Sequence, residues 1–337
     1  MLGAIYALLS AATFGLNNAS LRRGVITSTV FQALAVTVPL GVPLFALAVT
    51  LGGQWPALLA FEATAYGCLA LAGILHFVWG RYCGYRAIKA MGGNLASPVQ
   101  QGNMIVAMTL AIVFLGEHLN ALRVLGIVLV FVGPAIALPS RRQRARWRAA
   151  IASAGSPDRE PRSDAESKPA FTPNLVEGYT FAILSATGYG LSPVLVRFGL
   201  EGTGASFAGG LISYAAATLF FGLFLIPRGR LAHVLGVDRG SVRWFAISGV
   251  FVFFAQMFRY MALAIAPVTV VSPIQRTSGI FRVIFTTLLN RDHEILNARL
   301  IVGIFISLLG AVALTVSVDM VAQWVSLPPA LVDWRWP

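Results

Sequence analysis

The chain has very little charge for its length. Of 337 residues only 11% are Asp, Glu, Lys or Arg, against about 25% in a soluble domain. Acidic residues are the scarcer kind, 13 against 25 basic, which leaves a net charge of +12. Cysteine is almost absent. Cys68 and Cys83 fall on one predicted helix, roughly 22 Å apart along its axis, so they cannot pair, and no disulfide framework or metal-ligand spacing exists. The four histidines are scattered at 76, 118, 233 and 293, and no Ser-His-Asp, Cys-His or metal cluster can be assembled from the motifs. These absences argue against an enzyme and against a cofactor protein.

Apolar sequence is what the chain has in excess. Hydrophobic residues make up 57% and mean hydropathy is +0.76, more apolar surface than a globule of this size can bury. Lipid is the solvent that removes the difficulty. The basic residues lie mostly between apolar runs, so an anionic membrane surface, not nucleic acid, is their natural partner. Windows long enough to cross a hydrocarbon core of ~30 Å occur near 2–21, 29–51, 64–88, 94–115, 121–138, 177–196, 206–226, 242–264, 268–290 and 299–318. Backbone polar groups in lipid must be satisfied within the segment, so each window is predicted to be a helix. The first, MLGAIYALLS onward, lacks a basic leader region and is read as a span, not as a cleaved signal. Trp55, Trp79, Trp147, Trp244 and Trp324 stand at or near predicted span ends, where an interfacial aromatic belt would put them. Residues 139–176, with RRQRARWR followed by SPDREPRSDAESKP, read as a basic stretch and a disordered linker. Residues 319–337 read as a tail.

The sequence repeats itself. GAIYALLSAATFGLNNASLRRGV, from Gly3, aligns without a gap on GYTFAILSATGYGLSPVLVRFGL, from Gly178, with nine identities in 23 positions. The same offset of 175 sets Ser97-Pro98-Val99-Gln100 over Ser272-Pro273-Ile274-Gln275 and Tyr85 over Tyr260. After a two-residue insertion, Glu117, Asn120, Ala121, Gly126 and Gly133 match Glu294, Asn297, Ala298, Gly303 and Gly310. Chance explains matched Leu and Ala in apolar helices, but not a repeated Ser-Pro-x-Gln. The fold predicted is all-α: a polytopic membrane protein of ten transmembrane helices in two five-helix repeats, 1–138 and 177–318. An odd number of crossings inverts the second repeat, an arrangement that places a transport site near the midplane between halves.

These residues resemble a known family. Phe14-Gly15 and Tyr189-Gly190 in the first and sixth spans, Pro98 and Pro273 in the fourth and ninth, Leu115-Gly116-Glu117, and the Gly126–Gly133 pair are similar to the drug/metabolite transporter superfamily with two EamA-type repeats. Asn290-Arg291-Asp292-His293-Glu294 departs from the usual Leu-Gly-Glu. The resemblance implies carriage of a small metabolite by alternating access. It also implies cytoplasmic termini, and here the charge pattern disagrees. Counted outside the central cores of the spans, the odd-numbered loops and the span ends beside them hold 18 Lys and Arg, whereas the even-numbered side and the termini hold only Arg123, Arg197 and Arg335. The positive-inside rule then sets the 139–176 linker in the cytoplasm and both termini outside.

Polar residues inside spans mark candidate binding positions, because each is costly in lipid without a use. Asn17 lies on one face of the first span with Ser10 and Phe14, a pattern repeated by Ser185, Tyr189 and Ser192 on the sixth. Arg81 and Tyr85 share a face of the third span; Gln256, Arg259 and Tyr260 share the matching face of the eighth. Gln100 and Asn103 line the fourth, and Gln275, Ser278 and Arg282 the ninth, flanked by Arg276. For the serines, asparagines and glutamines, bonding between helices is the competing reading. The arginines weigh more: Arg81, Arg259, Arg276 and Arg282 lie deep, and no Asp or Glu lies comparably deep to pair with them. Guanidinium suits a carboxylate or phosphate through its two-pronged geometry, so the expected substrate is anionic, an amino acid or an organic anion. Two alternatives stay open: a carrier or flippase of a lipid-linked anionic headgroup, and a membrane enzyme acting on lipid phosphates. The small multidrug exporters of the superfamily exchange protons through a Glu in the first span; Asn17 and Asn18 here argue against that mechanism. His76 is the one near-neutral titratable group inside a predicted core, either bonded within the bundle or a proton relay. Glu117 and Glu294, beside the N-cap residues Asn120 and Asn297, are read as structural.

Overall fold

A computed structural model describes residues 1–25, 29–91, 96, 99–100, 102–137, 174–226, 229–289, 298–315 and 335–336. Residues 138–173 of the linker region, residues 290–297 and most of the tail lie outside the described residues, as do Pro98 and Glu294. The first half runs through α1 (Leu2–Val25), α2 (Val30–Leu51), the short α3 (Trp55–Ala60), α4 (Ala63–Gly73), a π-helical turn (Ile74–Trp79) that continues directly into α5 (Gly80–Met91), α6 (Asn103–Leu115) and α7 (Ala121–Ala137). The second half follows with α8 (Leu175–Leu200), α9 (Ser206–Leu223), the short α10 (Arg230–Leu235), α11 (Arg239–Ile265), α12 (Val268–Gln275), α13 (Ser278–Leu289) and α14 (Ala298–Thr315). One antiparallel pairing, Leu119–Asn120 with Arg335–Trp336, is the only strand contact among the described residues.

The protein is an all-helical, polytopic membrane protein. Five segments are individually long and apolar enough to cross a bilayer: Phe31–Leu51, Ala63–Ala87, Leu175–Leu200, Ser206–Leu223 and Arg239–Ile265. Large apolar side chains stand outward on the helices, among them Ile105, Phe114, Leu219 and Phe305, a surface suited to lipid and not to water.

Two of the predicted spans are not continuous. The ninth divides into α12 and α13 at Arg276-Thr277, and the fourth has a turn at Gly102 immediately before α6. Both breaks tighten with the same bond, Thr277 N–H to Ile274 O (3.0 Å) and Gly102 N–H to Val99 O (3.0 Å); these positions differ by the repeat offset. Pro273 lies inside α12, one turn before the break in the ninth span. The third span is likewise a single rod only in outline. Its π-turn inserts an i to i+5 bond, Gly80 N–H to Leu75 O, which reorients the side chains of His76 and Phe77 relative to a plain α-helix.

The halves exchange contacts as a two-fold relation requires. Ser10 on α1 donates to Ala255 O on α11 (2.7 Å), and its equivalent Ser185 on α8 donates to Gly80 O on α5 (2.8 Å). The acceptors also differ by 175. Each half's first helix therefore packs on the other half's third span. The fifth spans of the two halves, α7 and α14, meet at glycine: a Cβ on Gly126 would fall 2.8 Å from Gly310 O, and one on Gly310 would fall 2.8 Å from Gly126 O. Only hydrogen allows the backbones so close. Behind these contacts an aromatic cluster of Phe45, Phe77, Tyr214 and Phe253 joins α2, the π-turn, α9 and α11.

Candidate functional site

The broken spans and the π-turn bring the deep polar residues together. Arg259, on α11, is only 2% exposed. Its Nη1 lies 3.0 Å from His76 Nδ1 and 3.2 Å from Gln256 Oε1, to which it donates, and its Nη2 donates to Ser192 Oγ on α8 (3.3 Å). Arg276, at the break of the ninth span, donates through Nη2 to Asn103 Oδ1 at the start of α6, so the two broken spans meet at this bond. Arg81 lies with its guanidinium 5.9 Å from the Phe77 ring centre. The charges of Arg81, Arg259 and Arg276 all reach His76. Tyr189 packs edge-on against the same imidazole, 5.1 Å between ring centres, and Tyr85 is within electrostatic reach of Tyr189.

The cluster is rich in positive charge and in unused donors. Nε of Arg259 and Nε of Arg276 are buried with no hydrogen-bond partner. The described carboxylates, Glu62, Glu117, Glu177, Glu201 and Asp238, all stand at helix ends; Glu177 pairs with Arg86 (2.8 Å). None of them is placed to neutralise the arginines. Two helix N-termini add to the positive potential, because α6 begins at Asn103 and α13 at Ser278, on either side of the paired breaks.

The remaining sequence-predicted residues sit in the surrounding frame. Gln100 donates to Gly84 O (3.0 Å) and Gln275 to Ser10 Oγ (2.9 Å), so both glutamines tie the fourth and ninth spans to the crossed interfaces described above. Asn17 accepts from Ser248 Oγ (2.6 Å), joining α1 to α11. Tyr260 is buried against Phe45 (6.2 Å between ring centres). Arg282 lies on α13, with its side chain outside the described residues. His76 was not among the predicted site residues, yet it stands at the centre of the arginines. The signal that could have found it was its unique position as a titratable group in an apolar core.

Glu117 also has an unforeseen partner. Its carboxylate accepts from Val268 N–H (2.7 Å) and Thr269 N–H (2.8 Å), capping α12 in the opposite half. The structural reading of Glu117 thus extends to holding the two halves together, through charge-assisted bonds to a helix N-terminus.

Taken with the two-fold exchange of helices, the broken spans gather these polar residues within the helical bundle. The chain belongs to the EamA-like transporter family, whose profile matches residues 1–138 and 176–316, within the drug/metabolite transporter superfamily. It is a secondary transporter of small molecules and not an enzyme. A solved crystal structure of a protein has a similar fold, with a TM-score of 0.62 over 93% of this chain and 95% of that one, at 17% sequence identity. Among curated proteins, none matches the sequence.

Proposed function

We propose that the transported molecule is a small anion or carboxylate-bearing metabolite, an amino acid or an organic anion, moved across the plasma membrane by alternating access. The observation that carries this reading is the burial of two guanidinium groups, Arg259 and Arg276, bonded only to neutral side chains and with no carboxylate beside them among the described residues. Burying an unpaired guanidinium costs several kcal/mol, roughly what a bound anion returns through charge-assisted hydrogen bonds. Two partnerless Nε–H groups supply donors for it. Asn103, Gln256 and Tyr85 would orient the remainder of the molecule.

Purified protein in liposomes, offered amino acids, dicarboxylates, phosphate esters and quaternary ammonium ions, tests the reading. Saturable uptake should be confined to the anionic and carboxylate-bearing compounds. Saturable uptake of the cations alone would contradict it, and movement of a fluorescent anionic lipid between leaflets would move the assignment to a headgroup carrier.

The orientation proposed puts the 139–176 linker in the cytoplasm, on the strength of five arginines within 141–148 directly after a span. A cysteine at Ser156 should react with an impermeant maleimide only after the membrane is opened. Reaction in intact spheroplasts would reverse the orientation and return the termini to the cytoplasm.

A further inference from the structure

His76 is surrounded by more hydrogen-bond donors than its ring can answer. A neutral imidazole offers one lone pair and one N–H. Arg259 Nη1, which can only donate, lies 3.0 Å from Nδ1 and 3.3 Å from Nε2, and Gln256 Nε2 lies 3.1 Å from Nε2. Whichever ring nitrogen carries the proton, it faces a donor. Flipping the Gln256 amide does not relieve this: Oε1 would then accept from the ring, but Nε2 would take its place 3.2 Å from Arg259 Nη1. The cluster is therefore one acceptor short, and the shortage falls on the ring.

Arg259 of α11 and Tyr189 of α8 touch the imidazole directly, the charges of Arg81 on α5 and Arg276 at the end of α12 act on it from beyond hydrogen-bond range, and Tyr214 of α9 stands behind Phe77 (4.2 Å between ring centres). Among the described residues no carboxylate stands with them. A second proton on the ring, with nothing else bound, would set a fourth cation among three guanidinium groups. An anion held by those guanidiniums reverses both problems at once, since it offsets the repulsion and gives the ring N–H an oxygen to bond. The π-turn serves this geometry, as it swings His76 out of the regular helical register.

We propose that His76 is a proton-binding site that loads together with the anion, so that the carrier moves one proton with each anion it transports. The proton comes from water on the loading side and returns to water when the anion leaves. Because the two ligands stabilise each other's bound form, the effect is reciprocal: a proton on His76 favours the anion by the factor by which the anion favours the proton. The inference rests on the anion reading above and adds its coupling ion.

The test uses the purified full chain in lipid nanodiscs, with succinate, glutamate and inorganic sulfate as probes. Binding is measured by calorimetry in buffers of different ionisation enthalpy, from pH 6 to pH 8 in roughly half-unit steps. For a probe that binds, the expected result is uptake of about one proton per anion and an affinity that falls about tenfold per pH unit as pH rises. In His76→Gln, which keeps an amide of similar reach, proton uptake should vanish and the remaining affinity should no longer depend on pH. Binding without proton uptake in the unmodified protein, weakened by Arg259→Gln, would overturn the coupling while leaving the anion reading intact. A pH slope that persists in His76→Gln would assign the proton to another group and also overturn it. Failure of all three probes to bind would remove the anion reading, and the coupling with it.

Discussion

The two halves of the molecule share a skeleton and differ in chemistry. Where the first half has Gly84, the second has Arg259; where it has Gln101, the second has Arg276; where it has Arg81, the second has Gln256. Around these positions the frame is conserved, with Ser10 and Ser185 each bonded to the carbonyl of an equivalent residue in the opposite half. Helix exchange and the paired breaks can therefore serve a conformational change that interconverts the halves, while the charge is concentrated in one of them. A symmetric frame gives two related states, and an asymmetric site gives one ligand position.

The frame can be broken where the fifth spans meet. Gly310→Leu should have the largest effect on stability, because its Cβ would lie 2.7 Å from the backbone nitrogen of Val130 and 2.8 Å from Gly126 O, atoms that cannot move aside without parting α7 from α14. Overpacking typically costs ~1–3 kcal/mol and more against backbone, so the purified variant should aggregate or unfold at markedly lower temperature. A melting temperature equal to that of the unmodified protein would show that the fifth spans do not hold the halves together.

A smaller effect sharpens the comparison itself. Ser185→Ala removes one buried bond, about 0.6 kcal/mol by the measured average for membrane interiors. Ser10→Ala removes the equivalent bond and also strands the Gln275 amide that donates to Ser10, for which the cost of an unmet buried donor, ~1–3 kcal/mol, applies. Its denaturation midpoint should therefore drop further than that of Ser185→Ala. Equal losses would mean that the two interfaces are energetically alike and that Gln275 finds another partner.

How much of this the sequence displayed depends on distance along the chain. The crossed serines were legible, because the repeat sets Ser10 over Ser185 and an inverted repeat leaves few ways to pack them. The deep arginines were legible as residues expensive to bury. The bond from Glu117 to α12 was not, because its partners lie some 150 residues away and a carboxylate after Leu-Gly looks the same whether it caps its own helix or another. The break at Arg276 was hidden for a related reason: Pro273 is tolerated in continuous membrane helices as well as in broken ones, and hydropathy does not change across the turn. His76 was visible as an oddity but not as a centre, since the π-turn that aims it has no compositional signature.

The central claim is that the second half's arginines hold the substrate's negative group, and direct binding of an anion to charge variants tests it most closely. For whichever carboxylate or phosphate compound is transported, Arg259→Gln and Arg276→Gln should each raise the dissociation constant about 10- to 150-fold, the equivalent of one charge-assisted hydrogen bond, with folding unchanged. Arg276→Lys should recover only part of the loss, as it keeps the charge without the fork. Arg81→Gln, on the half with less charge at the site, should have the smaller effect. Unchanged dissociation constants in both Gln variants, or a larger loss from Arg81→Gln than from Arg259→Gln, would contradict the account.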